Sequence, residues 1–235
     1  MALAAALPDL PRWVETRWLL RSGEGALTIG DHGDGGVVVG TQLPLGAVIG
    51  RADPALLRDV LAEVPDELEL IVQMDALHEA RQALRDWTVT QAIVHCLPRP
   101  YEGSARPEPG VVVSAPPEER WVEQVPREDR PFAARAPAVA VRVEEGSVVA
   151  VCMASAVTEA LWDVGVDNFE GHRRRGHAAA CFRALAAYMA SHGRQPVWAA
   201  EEDNTPSRAL AARLGFRVVD RVAVLSRPDS DDERA

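Results

Sequence analysis

The chain of 235 residues is 47% hydrophobic and 26% charged, which is ordinary for a globular protein with one large or two small domains. Its formal net charge of −10 argues against nucleic acid or an anionic membrane as a partner, because such binders carry a spread of positive charge. No segment approaches the roughly 20 apolar residues of a membrane span. The opening residues also lack the basic start of a signal peptide, so we expect a cytoplasmic protein.

Cysteine and histidine usage predicts no metal site. Cys96, Cys152 and Cys181 are odd in number and lie in apolar segments, which is typical of buried free thiols. His78 and His95 have no companions at the spacing of a zinc site.

Residues 1–97 predict a small α/β domain. Asp53 followed by Pro54 is a typical helix start, with the aspartate as N-cap and the proline in the first turn. Hydrophobic patterns predict helices over 10–20, 53–64 and 75–84, and strands over 37–39, 47–49, 68–72 and 87–95.

The rest of the chain divides into three parts. Residues 98–137 are rich in proline and predict a linker with short extended pieces such as 111–113. Residues 138–228 predict a second unit that begins with a hairpin, whose turn lies at 144–147. The charged residues 229–235 predict a disordered tail.

The most informative stretch of the second unit is a strand, a basic turn and a helix. An alternating apolar segment ends near Asn168, the turn contains Arg173-Arg174-Arg175-Gly176, and large apolar groups recur at helical spacing from Ala178 to His192. We expect the helix to begin near Arg174. No Ser, Thr, Asp or Asn stands immediately before that point as a cap, and cations crowd the positive end of the helix dipole. A bound anion would offset both penalties, so the turn predicts a phosphate or pyrophosphate site.

A second pattern follows at a consistent distance. Residues 195–200 predict a short strand, and a helix from about Asn204 ends at Gly215, a typical C-cap residue.

These two patterns resemble the GNAT superfamily of N-acetyltransferases. The run 173–178 matches the family's R/Q-x-x-G-x-G/A signature, and Asn204, Ser207, Leu210 and 214–216 match its later N-x-x-S-x-x-L-x-x-x-G-F block. The resemblance covers roughly 139–226. It implies an α/β (α+β) fold with a mixed, mostly antiparallel central sheet flanked by helices. A smaller N-terminal α/β domain, an independent unit or a degenerate GNAT-like copy, would precede it.

The resemblance also implies acetyl-coenzyme A as acyl donor, without a metal. Its pyrophosphate would lie on the turn, and Asn204 would reach its pantetheine arm. Ser207 would either do the same or cap the second helix. The residues implied in cofactor binding are Val166, Asn168, Arg173, Arg174, Arg175, Gly176, His177, Ala178, Asn204 and Ser207.

Catalysis in this family is direct attack of an amine on the thioester. The resemblance points to the N–H of Asn168 as the donor that holds the oxyanion. Asp167 is our choice of base, among acidic residues at 163, 201, 202 and 203 that also flank the predicted cleft, although it is as suited to binding a cationic substrate. Many relatives carry a tyrosine where this chain has Ala211.

Two classes of function follow. The first is an N-acetyltransferase acting on the amine of a small molecule, or alternatively on a protein, with the N-terminal unit shaping the acceptor side or a homodimer contact. The second is an acyl-coenzyme A-binding or regulatory protein in which catalysis has lapsed, a reading that the missing tyrosine favours.

Overall fold

The computed structural model describes residues 7–31, 35–103 and 108–228, so the predicted tail at 229–235 lies outside the described residues. The helices are a 3-10 helix (Pro11–Trp13), α1 (Val14–Ser22), α2 (Pro54–Leu61), α3 (Leu77–Ala83), α4 (Glu119–Val122), α5 (Arg130–Arg135), α6 (His177–Ser191) and α7 (Thr205–Arg213). The strands are β1 (Gly25–Ile29), β2 (Gly35–Gly40), β3 (Leu45–Gly50), β4 (Glu69–Gln73), β5 (Thr88–Cys96), β6 (Val111–Ser114), β7 (Val139–Glu144), β8 (Ser147–Val157), β9 (Leu161–Asn168), β10 (Gln195–Glu201) and β11 (Arg217–Ser226).

All the described strands belong to one sheet in the order β1-β2-β3-β4-β11-β5-β10-β9-β8-β7-β6. Neighbouring strands are antiparallel except in two pairs, β3 with β4 and β9 with β10. The prediction of a mixed, mostly antiparallel sheet flanked by helices is confirmed. Because β11 lies between β4 and β5, both predicted units contribute strands to this one sheet, and the division at residue 97 stays a prediction.

The same order of elements occurs twice along the chain. Three antiparallel strands, β1 to β3, are followed by a helix, a strand parallel to the third, a second helix and a last strand, β5. The series from β7 to β11, with α6 and α7, repeats this order. The two last strands, β5 and β11, pair with each other and join the halves at the centre of the sheet.

The sheet carries helices on both faces. Helices α2, α3, α6 and α7 cover one face, where Phe182, Trp198 and Phe216 form the aromatic centre of the core. The other face carries α1, α4 and α5. Helix α1 contacts both the β1–β3 end of the sheet and strands β8 and β9, so the sheet curves around this helix. Glu15 on α1 therefore approaches strands from both halves of the chain.

Local sequence signals match the structure where a turn or cap is involved. The Asp53 side chain caps α2 by accepting a hydrogen bond from the N–H of Ala55. The turn predicted at 144–147 joins β7 to β8, with positive φ angles at Glu145 and Gly146. The predicted linker also contains secondary structure, because it provides edge strand β6 and the helices α4 and α5. No helix in the described part of the chain has the length and apolar character needed to cross a membrane.

Candidate active site

Strands β9 and β10 are parallel but pair only where both begin. The paired residues are 161–163 with 195–197, and beyond Asp163 the two strands diverge. Each continues along its other neighbour, β9 along β8 and β10 along β5. A wedge-shaped opening therefore lies between the second halves of β9 and β10, at the end of the sheet where α6 begins.

The edge of β9 that faces this opening has main-chain groups without a neighbouring strand. The N–H of Phe169 donates to the carbonyl of Val149 on β8, and in an antiparallel pair the direction of such bonds alternates along the strand. The N–H and C=O groups of Val164, Val166 and Asn168 are therefore turned toward β10. An extended ligand in the opening would meet them as an added strand would.

Helix α6 begins at His177, three residues after the predicted start, because the preceding turn has left-handed backbone conformations. Arg174 has φ 63° and Gly176 has φ 83°, neither of which belongs to a right-handed helix. Gly176 is the N-cap residue and offers no side chain. The N–H groups of five successive residues, 173–177, donate to no other group within the described part of the chain. This turn has the unpaired donors that an anion requires.

Asn168 links β9 to this turn. Its side-chain oxygen accepts a hydrogen bond from the N–H of Ala178 at 3.1 Å, in the first turn of α6. Its own N–H, the predicted oxyanion donor, donates to Oδ1 of Asp167 at 2.7 Å. An oxyanion would reach this N–H only if the Asp167 carboxylate turned away. Asp167 also lies near Asp129, where burial and then the charge of Asp167 raise the pKa to about 6.

The turn borders a cleft of about 630 Å³ between α6 and α7. Arg174, Arg175, Arg183 and Arg213 line it together with Asn168. Arg183 is paired with Glu108, but none of the other three forms an ion pair with a described residue. The cleft is suitable for a phosphate-bearing ligand, because the arginines without an acidic partner lie beside unpaired N–H groups.

Residues of the second sequence pattern lie at the start of α7. The side-chain oxygen of Asn204 caps the helix by accepting from the N–H of Ser207, and its amide nitrogen has no partner among the described residues. The Ser207 hydroxyl accepts from Nε1 of Trp198 at 2.9 Å, so Asn204 rather than Ser207 provides the cap. Ala211 is fully buried in the core, and this position offers no proton donor.

A pair of carboxyl groups lies on the opposite face of the sheet, at the point where β9 and β10 separate. Asp163 is buried, and Ser155 donates to its Oδ2 at 2.6 Å. Burial raises its pKa to about 6. Glu15 on α1 has its pKa raised well above the usual range by burial and by the charges of Asp163 and Glu69. Two neighbouring carboxyl groups with raised pKa values are typical of a site that accepts a proton near neutral pH.

The structure brings most of the predicted site residues together. Main-chain groups of β9, the basic turn and the start of α6 surround one opening, and Asn204 lies at the end of the adjacent strand β10. Glu15 was not identified from the sequence. Glu15 lies in a helix of mixed polar and apolar residues and gives no distinct sequence signal. Only the curvature of the sheet relates it to Asp163, which is distant in sequence.

A splayed pair of parallel strands thus lies beside a basic turn and the start of α6, an arrangement suited to an extended ligand that carries phosphate. More specifically, residues 132–225 match the family model described as GNAT acetyltransferase. This part of the chain is therefore similar to the GNAT acetyltransferases, a family that uses acetyl-coenzyme A. No curated protein sequence matches the chain.

Solved structures share this fold over nearly the whole chain. A GCN5-related N-acetyltransferase-like protein from Streptococcus suis has a TM-score of 0.71 at 17% identity, covering 96% of both chains. A GCN5-related N-acetyltransferase from Kribbella flavida has a TM-score of 0.64 at 13% identity, covering 96% of this chain and 98% of its own. A tandem GNAT protein from the clavulanic acid biosynthesis pathway has a TM-score of 0.54 at 18% identity, covering 88% of this chain and 85% of its own.

Proposed function

We propose that this protein transfers an acetyl group from acetyl-coenzyme A to an amine of a small molecule. The observation that carries the proposal is the run of five unpaired N–H groups at 173–177, held in a basic turn at the end of the open edge of β9. Together these provide an anion site and an extended site in continuous order, as a pyrophosphate joined to a pantetheine arm requires.

The residues present fit this donor. The N–H groups of 173–177 and the side chains of Arg174 and Arg175 would hold the pyrophosphate. Main-chain groups of Val166 and Asn168 would pair with the arm, and the free amide nitrogen of Asn204 would reach it from the other strand. When bound, acetyl-coenzyme A supplies an activated thioester. The rest of the chemistry lies with the protein.

In the proposed reaction the amine nitrogen bonds to the thioester carbon, the carbon–sulfur bond breaks, and coenzyme A leaves as its thiolate. The proton lost by the amine goes to a carboxylate of the protein. Asp163 and Glu15 are the preferred acceptors because they lie at the separation of β9 and β10 and have raised pKa values. Asp167 is the alternative acceptor. It would also release the N–H of Asn168 for the oxyanion if it turned toward the amine.

Several features support a small acceptor. Glu15 reaches the site from α1, which the sheet surrounds on one face, so the N-terminal region limits the space near Asp163. An acidic, confined site suits a small cationic amine better than a polypeptide. In this proposal the N-terminal unit shapes the acceptor side of the site.

Although the topology is repeated, the two halves differ at the position of the donor site, and this difference supports one donor site per chain. Helix α2 occupies in the first half the place that α6 occupies in the second, but the Asp53 side chain accepts the N–H of Ala55 and fills its N-terminus. Asp31, Asp59 and Glu79 outnumber Arg51 in the lining of the adjoining cleft and would repel phosphate. We infer that the first half is a copy without donor binding.

The buried Ala211 favours a second candidate, an acyl-coenzyme A-binding protein without catalysis. Calorimetric titration with acetyl-coenzyme A, longer acyl-coenzyme A esters and free coenzyme A tests donor binding, and thiol release with a panel of small amines and peptides tests transfer. Binding with release only for small amines supports the proposal. Binding without release supports the second candidate, and release only with peptides would favour a protein acceptor. The absence of binding to folded protein would overturn both functions.

A further inference from the structure

Three potential metal ligands from separate parts of the second half lie together beneath the basic turn. Glu144 ends β7, His172 lies in the turn, and His177 is the first residue of α6. Their nearest ligand atoms, a carboxylate oxygen and two ring nitrogens, all lie within 4.8 Å of one another. The Nδ1 atom of His172 is 3.6 Å from Glu144, and the Nε2 atom of His177 is 3.5 Å from it.

The two ring nitrogens lack other partners. Both Nδ1 of His172 and Nε2 of His177 are buried, and neither has a hydrogen-bond partner within the described residues. The side chain of His177 is only 9% exposed and directs this nitrogen toward Glu144. A buried polar atom in a native protein normally has a partner, so two such atoms facing one carboxylate indicate a ligand between them.

We propose that Glu144, His172 and His177 bind one divalent transition-metal ion, with zinc as the best match. Two imidazoles and a carboxylate are ordinary zinc ligands, and bonds of about 2.0–2.1 Å in a tetrahedral site place ligand atoms about 3.3 Å apart. The two glutamate–histidine distances are close to that value, although His172 faces Oε2 and His177 faces Oε1 of Glu144, so the carboxylate would bind through both oxygens or turn to present one. The two histidine nitrogens would move slightly closer together, and water would complete the coordination.

The residues around the proposed metal site affect how strongly it attracts a cation, and the positions of its ligands define its structural role. Arg142 lies 3.4 Å from Glu144 and opposes a cation, while the carboxylate of Glu144 attracts one. The ion would join the β7–β8 hairpin to the turn and to α6 through ligands that are separated in sequence. Its structural effect would be to hold the turn at 172–177 in one conformation. This proposal rests on the side-chain cluster alone and stands whether or not the protein transfers acetyl groups.

Metal titration of the full chain tests the proposal. After dialysis against a chelator, the protein is titrated with Zn²⁺ by calorimetry and with Co²⁺ by visible absorption, which reports tetrahedral coordination. We expect one equivalent of either ion to bind, and Zn²⁺ to raise the Tm. Glu144→Gln and His172→Gln should each weaken binding by more than about 100-fold, beyond the loss typical of residues that only support a ligand.

His192→Gln is the matched control, because His192 lies at the other end of α6, where its ring contacts the carbonyl of Tyr188. It should bind metal as the unaltered protein does. His177→Gln provides a further ligand variant in case one of the others does not fold, and circular dichroism checks each variant. The proposal is overturned if the folded, unaltered protein binds no metal at one equivalent, or if the folded ligand variants bind it as tightly.

Discussion

The side-chain oxygen of Asn168 accepts a hydrogen bond from the N–H of Ala178 at 3.1 Å. This contact joins the last residue of β9 to the first turn of α6 and spans the whole basic turn. Because Gly176 has no side chain to cap the helix, Asn168 provides the cap from outside it. Asn168 therefore belongs both to the open edge of β9 and to the proposed anion site.

Two replacements of Asn168 should affect the free energy of unfolding and the affinity for acetyl-coenzyme A differently. Asn168→Ala removes the cap and should lower the free energy of unfolding by about 1 kcal/mol. Asn168→Asp keeps an acceptor and should retain stability, but its negative charge beside the turn should weaken acetyl-coenzyme A binding by about tenfold or more. Urea denaturation and calorimetry measure the two effects. Full affinity in the aspartate variant would remove Asn168 from the donor site.

Gly176 and Gly193 form a matched pair at the two ends of α6. Both have φ near 80°, and neither has a neighbouring atom within 4 Å of an added Cβ, so alanine should cost each about 1 kcal/mol of unfolding free energy. Only Gly176→Ala should also weaken acetyl-coenzyme A binding, because Gly176 lies in the anion turn. An equal effect of the two substitutions on affinity would contradict the proposed site.

Arg174 and Glu145 are the two described non-glycine residues with positive φ, at 63° and 50°. Glycine at either position should relieve backbone strain and raise the free energy of unfolding by roughly 0.5 kcal/mol. Arg174→Gly should nevertheless lower acetyl-coenzyme A affinity, since it removes a guanidinium group from the cleft, whereas Glu145→Gly should leave affinity unchanged. Binding at two salt concentrations would report the lost charge. Unchanged affinity in Arg174→Gly would exclude Arg174 from the anion site.

Asp163 should make both the free energy of unfolding and the rate of acetyl transfer depend on pH. Its folded-state pKa of about 6 lies above the ordinary value of 3.8, so the folded state binds the proton more tightly. Its contribution to stability is therefore full below about pH 4 and is lost as the pH rises to about 6. Asp163→Asn should remove that part of the pH dependence, as urea denaturation at several pH values would measure.

If Asp163 is the base, the rate of acetyl transfer should rise with pH through about 6 in the unaltered protein and lose this step in Asp163→Asn. Asp167→Asn is the matched comparison, because Asp167 lies four residues farther along β9 on the same face of the strand. A profile altered only by Asp167→Asn would instead assign the base to Asp167.

Local signals explain what could be predicted from the sequence. The strand, basic turn and helix around Gly176 were predictable because their periods and turn residues lie within about 30 contiguous residues. The sequence does not predict strand β1, because the glycine-containing segment around Gly25 is typical of a loop. The extended piece predicted at 111–113 corresponds to strand β6, but the two helices after it are not predicted, because prolines surround them.

Contacts between distant segments account for what was missed. Glu144, His172 and His177 belong to a hairpin, a turn and a helix, and no regular spacing relates them. The proximity of Glu15 to Asp163 depends on the curvature of the sheet around α1. The hydrogen bond from Asn168 to Asp167 depends on side-chain rotamers that a sequence pattern does not specify.

The position of β11 has a consequence for biosynthesis. This strand, the last of the described strands in chain order, lies between β4 and β5 at the middle of the sheet. At about 5–20 residues per second, the stretch from the end of β5 to Ser226 takes many seconds to synthesise, and throughout that time β4 and β5 each lack a neighbour. Unpaired strand edges invite association with other chains. Chaperone dependence during translation should therefore end only when residues 217–226 have emerged.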